Sequence, residues 1–552
     1  MRNKVLTPLQ LWADYDAARH SCAVSFTHYK TVDNRTVFSA YVSGEQVGDE
    51  TIRIFVRGEM PKGGSDNVVV YVGDAMYSGD YLSMAELVED GFCVVAFDYC
   101  GRVEGKTDYT RYPADLAYCN YMQAGDHLTK AIPTAKETCI FTWAKVCRSV
   151  IGFAKQMCGA DCKLFLAGIR SGASIMWQAG AMDKRVDGLI GVLHAGWKEY
   201  VGVPKYSDIL FDMTDERERW LMGCSAQTYA KFISVPTLFV GSTNNTESSF
   251  DRIENTLGIL RERVPVSQSI CAGLTNTIDS AGISTIRHWI ASQTSKSVVM
   301  PANPSVSVSI QDRAVVATVQ PDASEEIAQI DIYYNFDEVQ SDLRSWKPLR
   351  VSVANPKEQI PVYTGNRLLF VYASVLYKKG YRLSTLPVVT HLDPEHLDVR
   401  TDVRKRPVIY ERKDGIASWV AENEDRYSAY IMPRMAVGAL DIQGITAERG
   451  NLSTYLIGEI SPRMADQKLL QFDAYAATDR ACHVVVCVDE GAGKHRNYTA
   501  SATIAGGAWN KVSLEVQSFK SDDFMTLKSW QKVKKLTFMQ ADGILFNNIL
   551  WV

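Results

Sequence analysis

The residues most suggestive of chemistry lie in 163–180, KLFLAGIRSGASIMWQAG, where an apolar run meets an amphipathic segment at the turn Gly168-Ile169-Arg170-Ser171-Gly172. In the pattern G-x-S-x-G the central residue occupies a strained strand-to-helix turn, and its side chain projects above the sheet at the N-terminus of the next helix. The two glycines stand where close approach of strand and helix needs them. The projecting residue, however, is Arg170, whose guanidinium stays protonated and cannot attack a carbonyl. The turn that presents a nucleophile is legible, and the nucleophile is not.

Other candidate groups gather around the same predicted cleft. Gly73-Asp74-Ala75 follows the apolar run NVVVYV and is a candidate loop of backbone donors; without a nucleophile no oxyanion forms for such donors to stabilise. Tyr99 and Cys100 follow CVVAFD, and nothing in the sequence supplies a base to activate the Cys100 thiol. His194 ends GLIGVLH, where it either faces the cleft or is held by a loop. Ser171 lies one residue past the projecting position and is expected to point along the helix, an ordinary place for serine. For Arg170 two readings stay open. A fixed positive charge at a helix N-terminus makes an anion site; alternatively the guanidinium pairs with Asp74, Asp98 or another carboxylate and fills the pocket.

The elements that would position these groups follow from periodicity. Residues 1–66 hold a polar first helix and then TVFSAYVSG and ETIRIFVRGEM, which predict a β-hairpin. From Asn67 the runs NVVVYVGDA and CVVAFDYCGR, apolar on both faces and separated by the helical YLSMAELVEDGF, predict a parallel sheet covered on both sides. A segment rich in tyrosine (Tyr109, Tyr112, Tyr118, Tyr121) is expected to roof one end of it. Trp143, Val146, Val150, Phe153 and Met157 recur at helical spacing and predict a core-facing helix. The strands GLIGVLHAGW, VPTLFVGS and VPVSQSICAG and the helix STIRHWIASQ complete this unit near Lys296. Beyond the two prolines of SVVMPANP, short alternating segments such as SVSVSI, AVVATV and QIDIYYN predict a β-sandwich of immunoglobulin or fibronectin type. Residues 399–552 read as a second all-β unit. The expected fold class is α/β plus all-β, divided 1–296, 297–398 and 399–552.

In order and spacing, residues 67–296 resemble the α/β-hydrolase superfamily, close to its esterase-like and peptidase-like branches with C-terminal β-domains. That resemblance implies an acid after VPTLFVGSTNNTE, where this chain has Asn244 and Asn245, and a histidine after SICAGLTNTIDS, where the matching position is Asn276. Arg170, Asn245 and Asn276 thus replace serine, aspartate and histidine, and the hydroxyl, base and orienting carboxylate of acyl transfer are all missing. The implied protein is a pseudoenzyme acting by binding or assembly. Its expected ligand is a carbohydrate or a small anion, held by Arg170, Asp74, Tyr99, His194, Asn245 and Asn276. The alternative is an esterase or peptidase acting on acylated or carbohydrate-linked substrates through a non-standard site, and a third reading makes all three units contact surfaces.

The closing pattern, with Trp509, Trp530 and the final ILFNNILWV, resembles the end of a galactose-binding-like jelly roll, the fold of many carbohydrate-binding modules. On that resemblance Trp419, Tyr427 and Tyr455 are expected to be exposed and to stack on sugars, while Trp509, Trp530 and Trp551 serve the core. A structural calcium ion is allowed by the same resemblance, although no carboxylate cluster marks its ligands; no other cofactor is implied.

Composition bounds the rest. At 552 residues the chain exceeds one core, and about 150 residues per domain suggests three or four units. With 59 basic and 63 acidic residues and no long charge run, it lacks the electrostatic footprint of a nucleic-acid binder. No apolar run has the length of a membrane span, and the N-terminus lacks the apolar core of a signal peptide, so a soluble, cytoplasmic protein is expected, with a protein partner or homo-oligomer left open. Ten of the 12 cysteines fall between Cys22 and Cys271, mostly in apolar segments, which suits reduced thiols. Cys158 and Cys162 lack the second pair that a zinc site needs.

Overall fold

The computed structural model describes residues 4–15, 22–75, 85–103, 105–200, 203–273, 278–363, 365–400, 407–416, 418–422, 433–457, 468–491 and 494–552. The N-terminal half is built on one sheet of nine strands: β1 (Val24–Val32), β2 (Arg35–Val47), β3 (Glu50–Pro61), β4 (Asn67–Val72), β5 (Cys93–Phe97), β6 (Lys163–Ile169), β7 (Gly188–Val192), β8 (Thr237–Ser242) and β9 (Val266–Cys271). Their spatial order is β1-β2-β3-β5-β4-β6-β7-β8-β9. β1, β2 and β3 pair antiparallel, β3 meets β5 antiparallel, and every later pairing is parallel. The predicted hairpin is β2 and β3; β1, whose side chains are almost all exposed, adds an outer strand that alternation in the sequence did not mark. The arrangement is a parallel-rich α/β sheet resembling that of the α/β-hydrolases.

Helices cover both faces because the central strands are apolar on both. Val68, Val70 and Val72 of β4 pack into one buried cluster, with Phe153 and Val150 of the long helix Cys139–Cys158 and with Met176 of the helix Ser171–Met182. Val69 and Tyr71 face the opposite cluster, with Leu87 from Ala85–Glu89 and Trp289 from Ser280–Thr294. The long helix starts where the side chain of Thr138 accepts a hydrogen bond from the Phe141 amide, and it ends at Gly159, whose φ of 98° most side chains would resist. Each large apolar side chain buried on its inner face contributes about 1.5–3 kcal/mol.

β4 and β6 lie side by side, with β5 on the other flank of β4, so the strand order reverses direction here. In open α/β sheets the crevice beyond the C-terminal ends of strands at such a reversal is where ligands bind. The loop after β4 carries Asp74, and the turn after β6 carries Arg170.

The C-terminal part consists of antiparallel sheets. A three-stranded sheet (Ser305–Gln311, Ala314–Gln320, Lys357–Ile360) and a five-stranded one, centred on Ile327–Phe336 and Leu368–Tyr377, enclose a common core containing Val315, Ile332 and Val371. Two further sheets, of six and five strands, enclose another core around Phe472, Val486, Trp530, Phe538 and Trp551.

The shift in texture at 297–304 marks a change of architecture without a break in packing. Trp346, Phe370 and Tyr372 belong to the same buried cluster as Phe250 and Leu257. The guanidinium of Arg344 forms a bidentate pair with Asp251, at 2.6 and 2.7 Å, with both side chains fully enclosed. Arg382 pairs in the same manner with Asp279, at 2.5 and 2.6 Å.

Candidate active site

Gly168 and Gly172 allow the turn to close. A Cβ on Gly172 would stand 2.1 Å from the carbonyl oxygen of Gly73, and one on Gly168 would stand 2.6 Å from the Cβ of Met176. Between them Arg170 adopts φ 51° and ψ −117°, a conformation that costs a non-glycine residue free energy and persists only where its surroundings enforce it. The predicted elbow is therefore present, with Arg170 at its apex and its amide donating to Val192 O at 3.0 Å.

The apex side chain is buried, and two carboxylates meet it. Its Nε lies 3.5 Å from Asp74 Oδ2, and one terminal nitrogen donates to Glu247 Oε1 at 3.1 Å. Glu247 in turn accepts from Lys198 Nζ at 2.7 Å. Burial alone would raise the Glu247 carboxyl, but Lys198 and Arg170 outweigh it and hold the group down to about 2. Arg170 is only 7% exposed, and its guanidinium already faces two internal acids. Of the two open readings, the pairing with Asp74 is the one observed.

Asp74 also occupies the position of an oxyanion. Its Oδ1 accepts from the backbone N–H of Ala75 at 2.9 Å, from the backbone N–H of Ser171 at 3.4 Å, and from the Ser171 hydroxyl at 2.5 Å. In a hydrolase elbow the amide after the nucleophile and an amide of the β4-side loop are the two oxyanion donors. Here the Ser171 amide meets a carboxylate of the chain itself, and the Ala75 amide is shared between that carboxylate and the Ser171 hydroxyl, 2.6 Å away. Tyr99, fully buried, lies over the same group; its hydroxyl donates to Gly73 O at 2.8 Å and lies 3.2 Å from Ser171 Oγ. Tyr99 is therefore part of the loop's support.

The remaining candidates separate. Asn245 is buried and closes a turn, donating from Nδ2 to Leu193 O and accepting at Oδ1 from the Glu247 amide at 2.9 Å. Asn244 donates to the carbonyl oxygens of Asp342 and Arg344, each at 2.9 Å, so it ties the sheet to the following β-unit. Asn276 and Tyr427 lie outside the described residues. Trp419 and Tyr455, expected to be exposed, are 4% and 5% exposed, because Trp419 packs on Tyr410 and Phe538 and Tyr455 lies beside Lys535. His288 has its Nε2 on the carbonyl of Val299 at 2.8 Å and its ring stacked on Tyr381.

His194 is buried beneath the Glu247 backbone. Nδ1 lies 3.2 Å from Glu247 O, which can only accept, so this nitrogen carries the proton; Nε2 then accepts from the hydroxyl of Ser174 at 2.9 Å. Burial, reinforced by Lys198, lowers the imidazole below its ordinary value although Glu247 opposes the shift. A neutral imidazole and a serine hydroxyl are thus in contact one helical turn past the elbow. Sequence reasoning missed Ser174, Lys198 and Glu247. Glu247 alone had a signal, two residues beyond Asn245 in the segment where an acid was sought.

Among the described residues no group of three His, Cys, Asp or Glu side chains is placed to hold a metal ion. No helix among the described residues is long and apolar enough to cross a membrane.

No protein-family model matches the chain, and no curated protein matches it. Among solved structures it is similar to an acetyl xylan esterase from Paenibacillus sp. R4, at 13% identity over 50% of this chain and 90% of that one, with a TM-score of 0.37. Acetyl xylan esterase 1 from Thermoanaerobacterium sp. JW/SL YS485 aligns at 15% identity over 53% and 96%, with a TM-score of 0.39. A putative dienelactone hydrolase from Klebsiella pneumoniae subsp. pneumoniae MGH 78578 aligns at 10% over 47% and 98%, with a TM-score of 0.31. The architecture of the N-terminal half is read from its own strand order, independently of these likenesses.

Proposed function

We propose that this chain is a catalytically silent protein on a hydrolase-like scaffold, acting by binding or assembly. One observation carries this reading: the carboxylate of Asp74 fills the backbone cradle of an oxyanion while Arg170, which cannot be a nucleophile, closes over it. A substrate carbonyl would have to displace a charged, triply hydrogen-bonded group before any donor could reach it, and no hydroxyl stands at the apex to attack. In the same reading residues 297–398 are an immunoglobulin-like sandwich and 399–552 a jelly roll, the two β-units supplying binding surface, and the protein works in the cytoplasm.

A second reading is favoured by the Ser174–His194 contact, which pairs a hydroxyl with a neutral base. It would make the chain an esterase or peptidase with a displaced site. Against it, the imidazole is oriented by a carbonyl instead of a carboxylate, and the cradle donors are spent on Asp74 and the Ser171 hydroxyl.

A screen with small acyl esters and aminoacyl amides separates the two. Silence is expected from the wild-type protein. Saturable turnover that disappears in Ser174→Ala would establish the second reading in its place.

A further inference from the structure

A cavity of about 470 Å³ opens where the end of the nine-stranded sheet meets both β-units. The β9 end contributes Ala272 and Gly273, the Ile327–Phe336 and Lys347–Val351 strands contribute Asp331 and Arg350, and the C-terminal unit contributes Trp419 and Tyr455. Its volume is within the range of small-molecule sites, about 300–1,000 Å³. The tryptophan and tyrosine that the sugar-stacking expectation placed on the surface, Trp419 and Tyr455, line this open cavity.

Among the described residues the charges of its lining are matched. Asp331 accepts from Arg350 Nε at 3.0 Å on one oxygen and from the Gln329 amide on the other. Arg344, also in the wall, has both terminal nitrogens on Asp251. The lining therefore asks for no net charge in a ligand, yet it holds a carboxylate, an amide and a guanidinium whose outer N–H groups remain in reach, since the Arg350 side chain is 68% exposed. Beside these planar polar groups stand Trp346, Trp419 and Tyr455. The indole N–H of Trp346 is buried without an acceptor among the described residues.

We infer that this junction cavity binds a neutral, polyhydroxylated ligand of the size of a short oligosaccharide. Vicinal hydroxyls can bridge the adjacent oxygens and N–H groups of a carboxylate, an amide and a guanidinium, and the C–H faces of a sugar ring are apolar enough to lie on aromatic walls. Among the described lining residues the exposed cation Arg350 is balanced by the adjacent carboxylate of Asp331, which disfavours an anionic ligand, and a hydrocarbon would offer the outward N–H groups of Arg350 no acceptor. The inference rests on the binding reading above and names the site and ligand class for it.

The test is titration of the full chain, by calorimetry and saturation-transfer NMR, with maltotriose, cellotriose, mannotriose, triacetylchitotriose, trigalacturonate and trialanine. At least one neutral trisaccharide should bind, and Arg350→Ala and Gln329→Ala, both altering solvent-reachable side chains, should each weaken it roughly tenfold or more with unchanged circular dichroism. Binding of trigalacturonate or trialanine alone overturns the inference. So does the absence of any binding at millimolar concentration, or trisaccharide binding to which both variants are indifferent. Acyl-ester hydrolysis measured on the same samples reports separately on the non-catalytic reading, and trisaccharide binding lost in both variants supports the cavity whether or not hydrolysis is seen.

Discussion

Asp74 Oδ1 accepts the hydroxyl proton of Ser171 at 2.5 Å, and the two residues are 97 positions apart in the chain. This contact seats a carboxylate of the chain in the oxyanion cradle. Arg170 then has a local reason to be an arginine: it neutralises charge that the cradle has already captured.

Restoring a hydroxyl should not restore chemistry. In Arg170→Ser the apex carries an oxygen, but Asp74 still holds both donors and the carbonyl-oriented His194 already serves Ser174. Hydrolysis of p-nitrophenyl acetate by Arg170→Ser is expected to stay at the wild-type background. A saturable rise would show that Asp74 leaves the cradle readily and that the arginine alone had silenced the site.

Glu247 should make stability pH-dependent in acid. Its folded value is lowered from 4.5 to about 2, so its contribution is complete above the unfolded value and is lost as pH falls from about 4.5 towards 2. The contribution is about 3 kcal/mol at neutral pH. Thermal unfolding of wild type and Glu247→Gln should therefore differ most near pH 6 and converge near pH 2. A gap that is constant over this range would mean that Glu247 is not held by Arg170 and Lys198 in solution.

The Arg344–Asp251 pair should dominate the coupling between the α/β half and the sheets that follow. Both side chains are 1% exposed or less, and the guanidinium also lies 3.5 Å over the ring of Phe370. Removing one partner strands a buried charge, which costs about 3–5 kcal/mol. Arg344→Met is expected to lower the melting temperature and to expose the 297–304 region to proteolysis, and pairing it with Asp251→Leu should recover much of the loss. Equal melting temperatures for Arg344→Met and wild type would refute the coupling.

Periodicity and residue type alone determined the local elements. NVVVYV and KLFLAGI are apolar on both faces, so they had to be central strands, and Gly168 and Gly172 had to bracket a close turn. That Arg170 is no nucleophile follows from guanidinium chemistry and needs no coordinates. What Arg170 does instead was open, because a sequence shows which face of its own element a side chain shares and not which distant loop abuts it. Only the tertiary structure, by setting β4 beside β6, brought the loop after one against the turn after the other and placed Asp74 in the cradle. The same limit explains Trp419 and Tyr455. Their aromatic character was readable, but burial of their rings depends on Phe538, Tyr410 and the neighbouring sheets, which pack against them from remote positions in the chain.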